Sequence, residues 1–377
     1  MIPFRTRALA AVVGCVCVLA GCSAATGRRP AELAAVRWRW RPPPPADLGM
    51  PAADKEGVVV TVSHVFVVSL RPDGSDRWTA RDLGVREETP LMTPALVVVP
   101  TDNGLVAFER TTGQVRWGTR LGASSIEAPD PDDAASTPVL AGQTVLTCLS
   151  GGALVAVDAD SGAVRWRVAL PGRSDGPPAT DGHTVVATWD PEHGDGAAVA
   201  AFDLATGERR WSAPLRAGAV GAPAIAGGAR PFAVVVDHDL AAKAFDLATG
   251  RRLWATEVGA AGSPEVPPLP LGDGTVLVAD RLAGLTLLDA GGHRRWSARA
   301  HAAAVRGGPV GPADGIYALP LYDGKVLLAG PGHGTAVVDA PGGLVSGVAI
   351  APGGGLLVSS AQGREDQLVA YAGGADS

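Results

Sequence analysis

Cysteine is scarce in this chain of 377 residues, and the four present are unevenly placed. Cys15 and Cys17 lie in an apolar leader and Cys22 at its end, which leaves Cys148 alone in the body of the chain. One thiol cannot make an internal disulfide, so the fold must be held by its core. In Val145-Leu146-Thr147-Cys148-Leu149 that thiol reads as a small apolar side chain. Lysine is rarer still, at 55, 243 and 325 alone, and aromatic residues are 5% of the chain. The formal charge is −6, and removal of Arg5 and Arg7 with the leader takes it to −8. An acidic body lacks the electrostatic footprint of a nucleic-acid binder. Beyond Cys22 there is no uncharged apolar stretch of about 18 residues, so no second membrane-spanning helix is expected.

Catalytic signatures are missing as well. The chain has no phosphate-cradling Gly-rich loop and no His-Glu-x-x-His helix. Its histidines, at 64, 183, 193, 238, 293, 301 and 333, show no metal-ligand spacing. Asp237-His238-Asp239 comes closest to a site, but it follows the apolar run Phe232 to Val236 and reads as a hairpin turn. The denser acidic patches, Glu127, Asp130, Asp132 and Asp133, then Asp190, Glu192 and Asp195, read as solvated loop charge. No catalytic residue and no metal site is expected.

What the chain does have is a repeat. An acidic residue, two residues, Thr or Ser, Gly, three residues and Trp recur as Glu109-Gly113-Trp117, Asp158-Gly162-Trp166, Asp203-Gly207-Trp211 and Asp246-Gly250-Trp254. Two worn copies end at Trp78, with Asp73-Gly74 at the turn, and at Trp296, one residue shorter. The tryptophans at 78, 117, 166, 211, 254 and 296 are 39, 49, 45, 43 and 42 residues apart. That period marks β-propeller blades. Within a copy, apolar strands such as Leu154 to Val157 and Val164 to Val168 flank a turn. The carboxylate can accept turn N–H groups, and Gly can take a positive φ without steric cost. The Trp ring is large enough to fill the space between blades.

Further columns fall at Asp339 and Ala372, and the last copy runs out of chain before its Trp. The segment Val36-Arg37-Trp38-Arg39-Trp40 supplies one, with Trp40 standing 38 residues before Trp78. The expectation is an all-β propeller of eight four-stranded antiparallel blades, closed by strand 36 to 41, which removes an exposed edge. Seven blades with the Trp38 segment loose is the alternative. Two departures from the period, Ser124 to Ser136 and Trp189 to Gly196, are binding candidates, because insertions in repeat proteins map to loops on a partner-facing side.

The first 22 residues carry a basic start, an apolar core from Ala8 to Ala20 and Leu19-Ala20-Gly21-Cys22, the order of a secretory signal. This end resembles the lipobox of bacterial lipoproteins. That resemblance implies cleavage before Cys22 and diacylglycerol on its sulfur, with a second acylation making the anchor stable. The expected organisation is a signal peptide over 1–21, a tether over 22–35 and a propeller over 36–374. Around the tether Arg28, Arg29, Arg37, Arg39 and Arg41 against Glu32 give +4, which suits anionic headgroups.

The stretch Ala156 to Trp166, with Ala201 to Trp211 and Ala244 to Trp254, resembles the pyrroloquinoline-quinone (PQQ) type propeller repeat. Joined to a lipobox, it is similar to the BamB-like lipoproteins of the bacterial envelope. The resemblance implies a non-catalytic docking scaffold on the extracytoplasmic face of the cell membrane, monomeric as a propeller, with an envelope protein as partner. The repeat's name also raises a quinoprotein oxidoreductase holding PQQ with Ca²⁺, although many such enzymes carry a vicinal cysteine pair that is lacking here. Apart from the blade tryptophans only Trp189 is spare for stacking a quinone. A third alternative is an extracytoplasmic sensor that binds a small ligand in the central channel.

Overall fold

The computed structural model describes residues 35–43, 46–81, 84–122, 133–174, 176–191, 196–215, 221–237, 241–259, 267–280, 284–300, 308–313, 315–321, 323–340, 344–351, 355–361 and 366–372. The signal, Cys22 and the tether up to 34 lie outside them.

Among the described residues there is no helix, and 32 strands form eight four-stranded antiparallel sheets. Blade one holds β2 (Ala52–Asp54), β3 (Gly57–Val62), β4 (Phe66–Leu70) and β5 (Asp76–Arg81). Blade two holds β6 (Leu91–Met92), β7 (Leu96–Thr101), β8 (Gly104–Glu109) and β9 (Val115–Arg120). Blade three holds β10 (Val139–Ala141), β11 (Thr144–Leu149), β12 (Ala153–Asp158) and β13 (Val164–Ala169). In blade four these are β14 (Ala179–Thr180), β15 (Thr184–Trp189), β16 (Ala198–Asp203) and β17 (Arg209–Pro214). Blade five runs through β18 (Ala224–Ala226), β19 (Phe232–Val236), β20 (Ala241–Asp246) and β21 (Arg252–Glu257). Blade six runs through β22 (Leu269–Pro270), β23 (Val276–Ala279), β24 (Gly284–Leu288) and β25 (Arg294–Arg299). Blade seven consists of β26 (Val310–Ala313), β27 (Ile316–Leu321), β28 (Lys325–Gly330) and β29 (Gly334–Asp339).

Blade eight joins the two ends of the chain. Its first three strands are β30 (Leu344–Ile350), β31 (Leu356–Ala361) and β32 (Gln367–Tyr371), and its fourth is β1 (Val36–Trp40). The pairs Val36↔Tyr371, Trp38↔Ala370 and Trp40↔Leu368 close the ring, and Ala372 N–H donates to Ala35 O at 2.9 Å. The seven-blade alternative is excluded by this count.

The second and third strands of each blade are the buried ones, because Val-rich runs facing a neighbour on both sides need no polar face. β3, β7, β11 and β15 are buried throughout, whereas outer strands such as β9 and β13 alternate. The core is accordingly a set of apolar layers between blades, for instance Val98, Ala107 and Trp117 against Val145 and Val155. Cys148 is fully enclosed in the next layer with Leu146, Leu154 and Phe202.

Two expected columns are corrected. Trp38, not Trp40, takes the repeat position: its ring lies over Gly74, as that of Trp78 lies over Gly113, and its indole N–H donates to Pro72 O at 2.9 Å. Trp40 faces the same side and donates instead to Asp76 Oδ1 at 2.8 Å. The two are one pleat period apart, so both reach blade one. Asp339 closes the fourth strand of blade seven, whereas the turn between its third and fourth strands runs from Gly330 to Gly334.

Candidate docking face

The repeat residues build the seams between blades. Each indole N–H crosses to a turn carbonyl of the next blade: Trp78 to Arg110, Trp117 to Ala159, Trp166 to Leu204, Trp211 to Leu247 and Trp254 to Ala290, at 2.7–3.0 Å. The ring meanwhile covers the turn glycine of that blade, Gly113, Gly162, Gly207, Gly250 or Gly292. These glycines have φ between 70° and 81°, and a Cβ on any of them would fall 2.6–2.9 Å from the ring. Glycine is thus required twice, by backbone and by contact. Trp296 has Tyr317 of blade seven 6.4 Å away, centroid to centroid.

The acidic residues hold the turns themselves. Asp158 Oδ1 accepts Ser161 N–H at 2.9 Å and Ser161 Oγ–H at 2.8 Å, and its Oδ2 takes Arg165 at 2.6 Å. Asp203 repeats this with Thr206 and Arg210. The Arg165 hydrogen bond, then that of Ser161, holds the Asp158 carboxyl well below the usual carboxylate range. Arg210 does the same for Asp203, and the Thr249 hydroxyl for Asp246. Glu109 has Thr112 Oγ at 3.0 Å and Arg116 at 3.6 Å. All of this is turn architecture rather than a reaction site.

An antiparallel meander gives the ring two unlike faces. The repeat turns, and those joining first to second strands, lie on one; here Arg165, Arg210, His183 and Gln143 border a 390 Å³ cleft between blades three and four. Both arginines are already engaged by Asp158 and Asp203. The opposite face carries the connections from second to third strands and from blade to blade. Five consecutive blade junctions are pinned there by hydrogen bonds. Ser359 Oγ–H donates to Gly49 O at 3.0 Å, Met50 N–H to Glu87 O at 2.8 Å and Ala135 N–H to Thr101 O at 3.1 Å. Ser174 N–H donates to Ser150 O at 3.2 Å, and Thr188 Oγ–H to Gly221 O at 3.0 Å.

The stems of both long loops rise from this pinned face. Ala134 O accepts Ser150 N–H at 3.0 Å beside the first, and Asp190 and Arg173 exchange backbone hydrogen bonds at 2.9 Å beside the second. Blade one adds a feature that sequence patterning missed. Ser63 and His64, the tip between β3 and β4, have φ of 54° and 55°. Two successive non-glycine residues in the left-handed region form a hairpin usually written Asn-Gly, and they carry strain. His64 Nε2 lies 3.2 Å from Glu87 Oε1, Gly84 N–H donates to His64 O at 3.0 Å, and the neighbouring Phe66 ring is 39% exposed. The signal was a Ser-His pair between two valine runs, recognisable only once the two-residue turn is known.

Other candidates resolve differently. Trp189 is 4% exposed and packs with Leu154, Val185 and Phe202, so its ring offers no stacking platform. Asp237 is buried in an ion pair with Lys243 across the β19–β20 hairpin. His238, Asp239, Glu127, Asp130, Asp132, Glu192, Asp195, His193 and His301 lie outside the described residues. Among the described residues no three His, Cys, Asp or Glu side chains converge on a metal-sized space.

No curated protein matches the sequence. BamB from Moraxella catarrhalis is similar in structure, with a TM-score of 0.65 at 18% identity over 90% of this chain and 97% of that one. A europium-containing methanol dehydrogenase reaches 0.69 at 14% identity over 88% and 85% of the two chains. The quinohemoprotein alcohol dehydrogenase of Comamonas testosteroni reaches 0.67 at 13% identity over 90% and 76%. At such identities these likenesses establish the propeller alone. The family model of the outer membrane protein assembly factor BamB matches residues 20–176 and 150–344, and by that match the chain belongs to the BamB-like family of PQQ-type propellers.

Proposed function

We propose that the protein is a non-catalytic docking scaffold of the cell envelope, tethered by a lipidated Cys22 on an extracytoplasmic membrane face. One observation carries this reading: the stems of both long loops, the strained Ser63–His64 hairpin and the exposed Phe66 share a single face on which five consecutive blade junctions are tied by hydrogen bonds. Such a platform presents long loops on a hydrogen-bonded base, the arrangement that protein recognition favours. The family's named role in assembly of outer membrane proteins supports a protein partner in the envelope. Likeness to the alcohol dehydrogenases lies in the fold only, and the repeat residues are spent on turns and seams.

The test is capture from detergent-solubilised membranes with the full-length, processed protein. Replacement of 124–132 by a short Gly-Ser linker, or Phe66→Asp, should leave the ring folded and remove the captured partner. Unchanged capture by both variants would defeat the proposal. Cys22→Ser should shift the protein from the membrane to the soluble fraction. Purified protein given PQQ with Ca²⁺ should show no dye-linked oxidation of alcohols or sugars.

A further inference from the structure

The outermost strand of every blade has one edge without a neighbour in its own sheet, and a row of unpaired backbone groups on a flat apolar strand invites another strand to pair. Seven of the eight edges are guarded in two ways. Each carries arginine, from the single Arg252 of β21 to the three of β25. Each also has a break in register against its inner neighbour, a bulge that bends the strand away from regular pairing. Both devices are ways in which proteins protect an edge.

β29 has neither. Its sequence, Gly-Thr-Ala-Val-Val-Asp, holds no cation and no proline, and its six pairs with β28 run from Lys325↔Asp339 to Gly330↔Gly334 without interruption. Ala336 stands at the repeat-Trp column, opposite Leu328. Val337 is 45% exposed, with Thr335 and Asp339 exposed on the same side, while Val338 packs into the layer against blade eight. Charge nearby leans negative, since Lys325 is engaged by Asp323 at 3.1 Å and Asp339 is exposed.

We propose that β29 is a strand-addition site for one extended segment of a partner protein, with β-branched apolar residues at alternate positions and a basic residue at the end that meets Asp339. Main-chain hydrogen bonds would supply affinity, and the alternate side chains specificity. This surface is the rim of the ring, so the proposal stands apart from docking through the loop face.

The probe is a fluorescein-labelled peptide of alternating valine and threonine with one terminal arginine, added to the purified full-length protein. Amides within 334–339 should become protected from hydrogen exchange, and Val337→Arg, which restores the guard that the other rims carry, should weaken binding about tenfold or more. Val115→Arg on β9, also exposed but on a guarded edge, should change nothing. Protection elsewhere or nowhere overturns the proposal, and so does unaltered binding by Val337→Arg. Self-association through β29 that Val337→Arg abolishes would also overturn it, by assigning the edge to a second copy. Exchange in the unmodified protein decides the matter even if a variant fails to fold.

Discussion

At the scale of single residues, one Trp and one Gly do most of the work of a seam. Trp211 is 9% exposed and combines a buried ring with the hydrogen bond to Leu247 O at 2.8 Å. Trp211→Phe keeps most of the ring and loses the donor, which should cost about 1 kcal/mol. Trp211→Ala leaves a cavity as well and should cost about 3–5 kcal/mol. Chemical denaturation separates the two. Glycine offers a sharper contrast, because Gly162 and Gly142 both have positive φ, 71° and 59°, yet only Gly162 lies under a ring. Gly142→Ala should therefore cost about 1–2 kcal/mol, the backbone term alone. Gly162→Ala should cost clearly more and quench or shift Trp117 fluorescence; equal midpoints for the two would contradict the double role of the turn glycine. The turn carboxylates set the acid limb. Asp158, Asp203 and Asp246 have folded pKa values below the ordinary 3.8, so the stability they add is present above that value and is lost as pH falls through the folded one. Asp158→Asn should flatten the fall of the denaturation midpoint below about pH 4 and matter least to its slope near neutrality, where no proton is exchanged.

At the scale of elements, β1 is the strand whose role the sequence could only bracket. The repeat made the blades legible because Asp, Gly and Trp are fixed by local chemistry: a carboxylate for turn N–H groups, a positive φ, a ring for the seam. Where those residues are absent, the period alone tolerates several residues of drift, and Asp339 was assigned to the wrong strand for that reason. Trp38 and Trp40 could not be told apart by spacing, since they stand 40 and 38 residues before Trp78, on either side of the shortest other interval of 39, and on one side of the strand. Register decided it, through a bulge between Val36 and Trp38. The loop face was less legible still: His64 and Phe66 show no pattern until the fold brings Glu87 and Gly84 beside them. The assignment of Trp38 makes a prediction. Trp38→Ala should open the seam between blades eight and one and cost about 3 kcal/mol, by loss of a half-buried ring that covers Gly74 and of its donor to Pro72 O. Trp40→Ala removes a ring that is also half-buried but covers no turn glycine and is held to Asp76, and should cost less. A reversed order in thermal or denaturant unfolding would return the repeat position to Trp40.

For the whole molecule, a ring is only as closed as its weakest seam. Six seams carry a Trp ring on a turn glycine with its indole bonded across, and a seventh pairs Trp296 with Tyr317. Between blades seven and eight the Trp column is Ala336, and the layer is aliphatic apart from Tyr371: Val326, Leu328, Val345, Val348, Val358 and Val369. Aliphatic packing stabilises by area but lacks the directional tie that holds one blade in register with the next. Proteins open first where local stability is lowest, and such openings are cooperative within a motif. Native-state hydrogen exchange in low denaturant should therefore show β28, β29 and β30 opening together, at a free energy below that of β15, β16 and β19, which flank the Trp211 seam. Because loss of one seam converts a closed ring into an open array without further breakage, denaturant sensitivity of this opening should be a fraction of the global value. Exchange of all blades at one common free energy would mean that closure by β1 makes the ring a single cooperative unit, indifferent to which seam lacks its tryptophan.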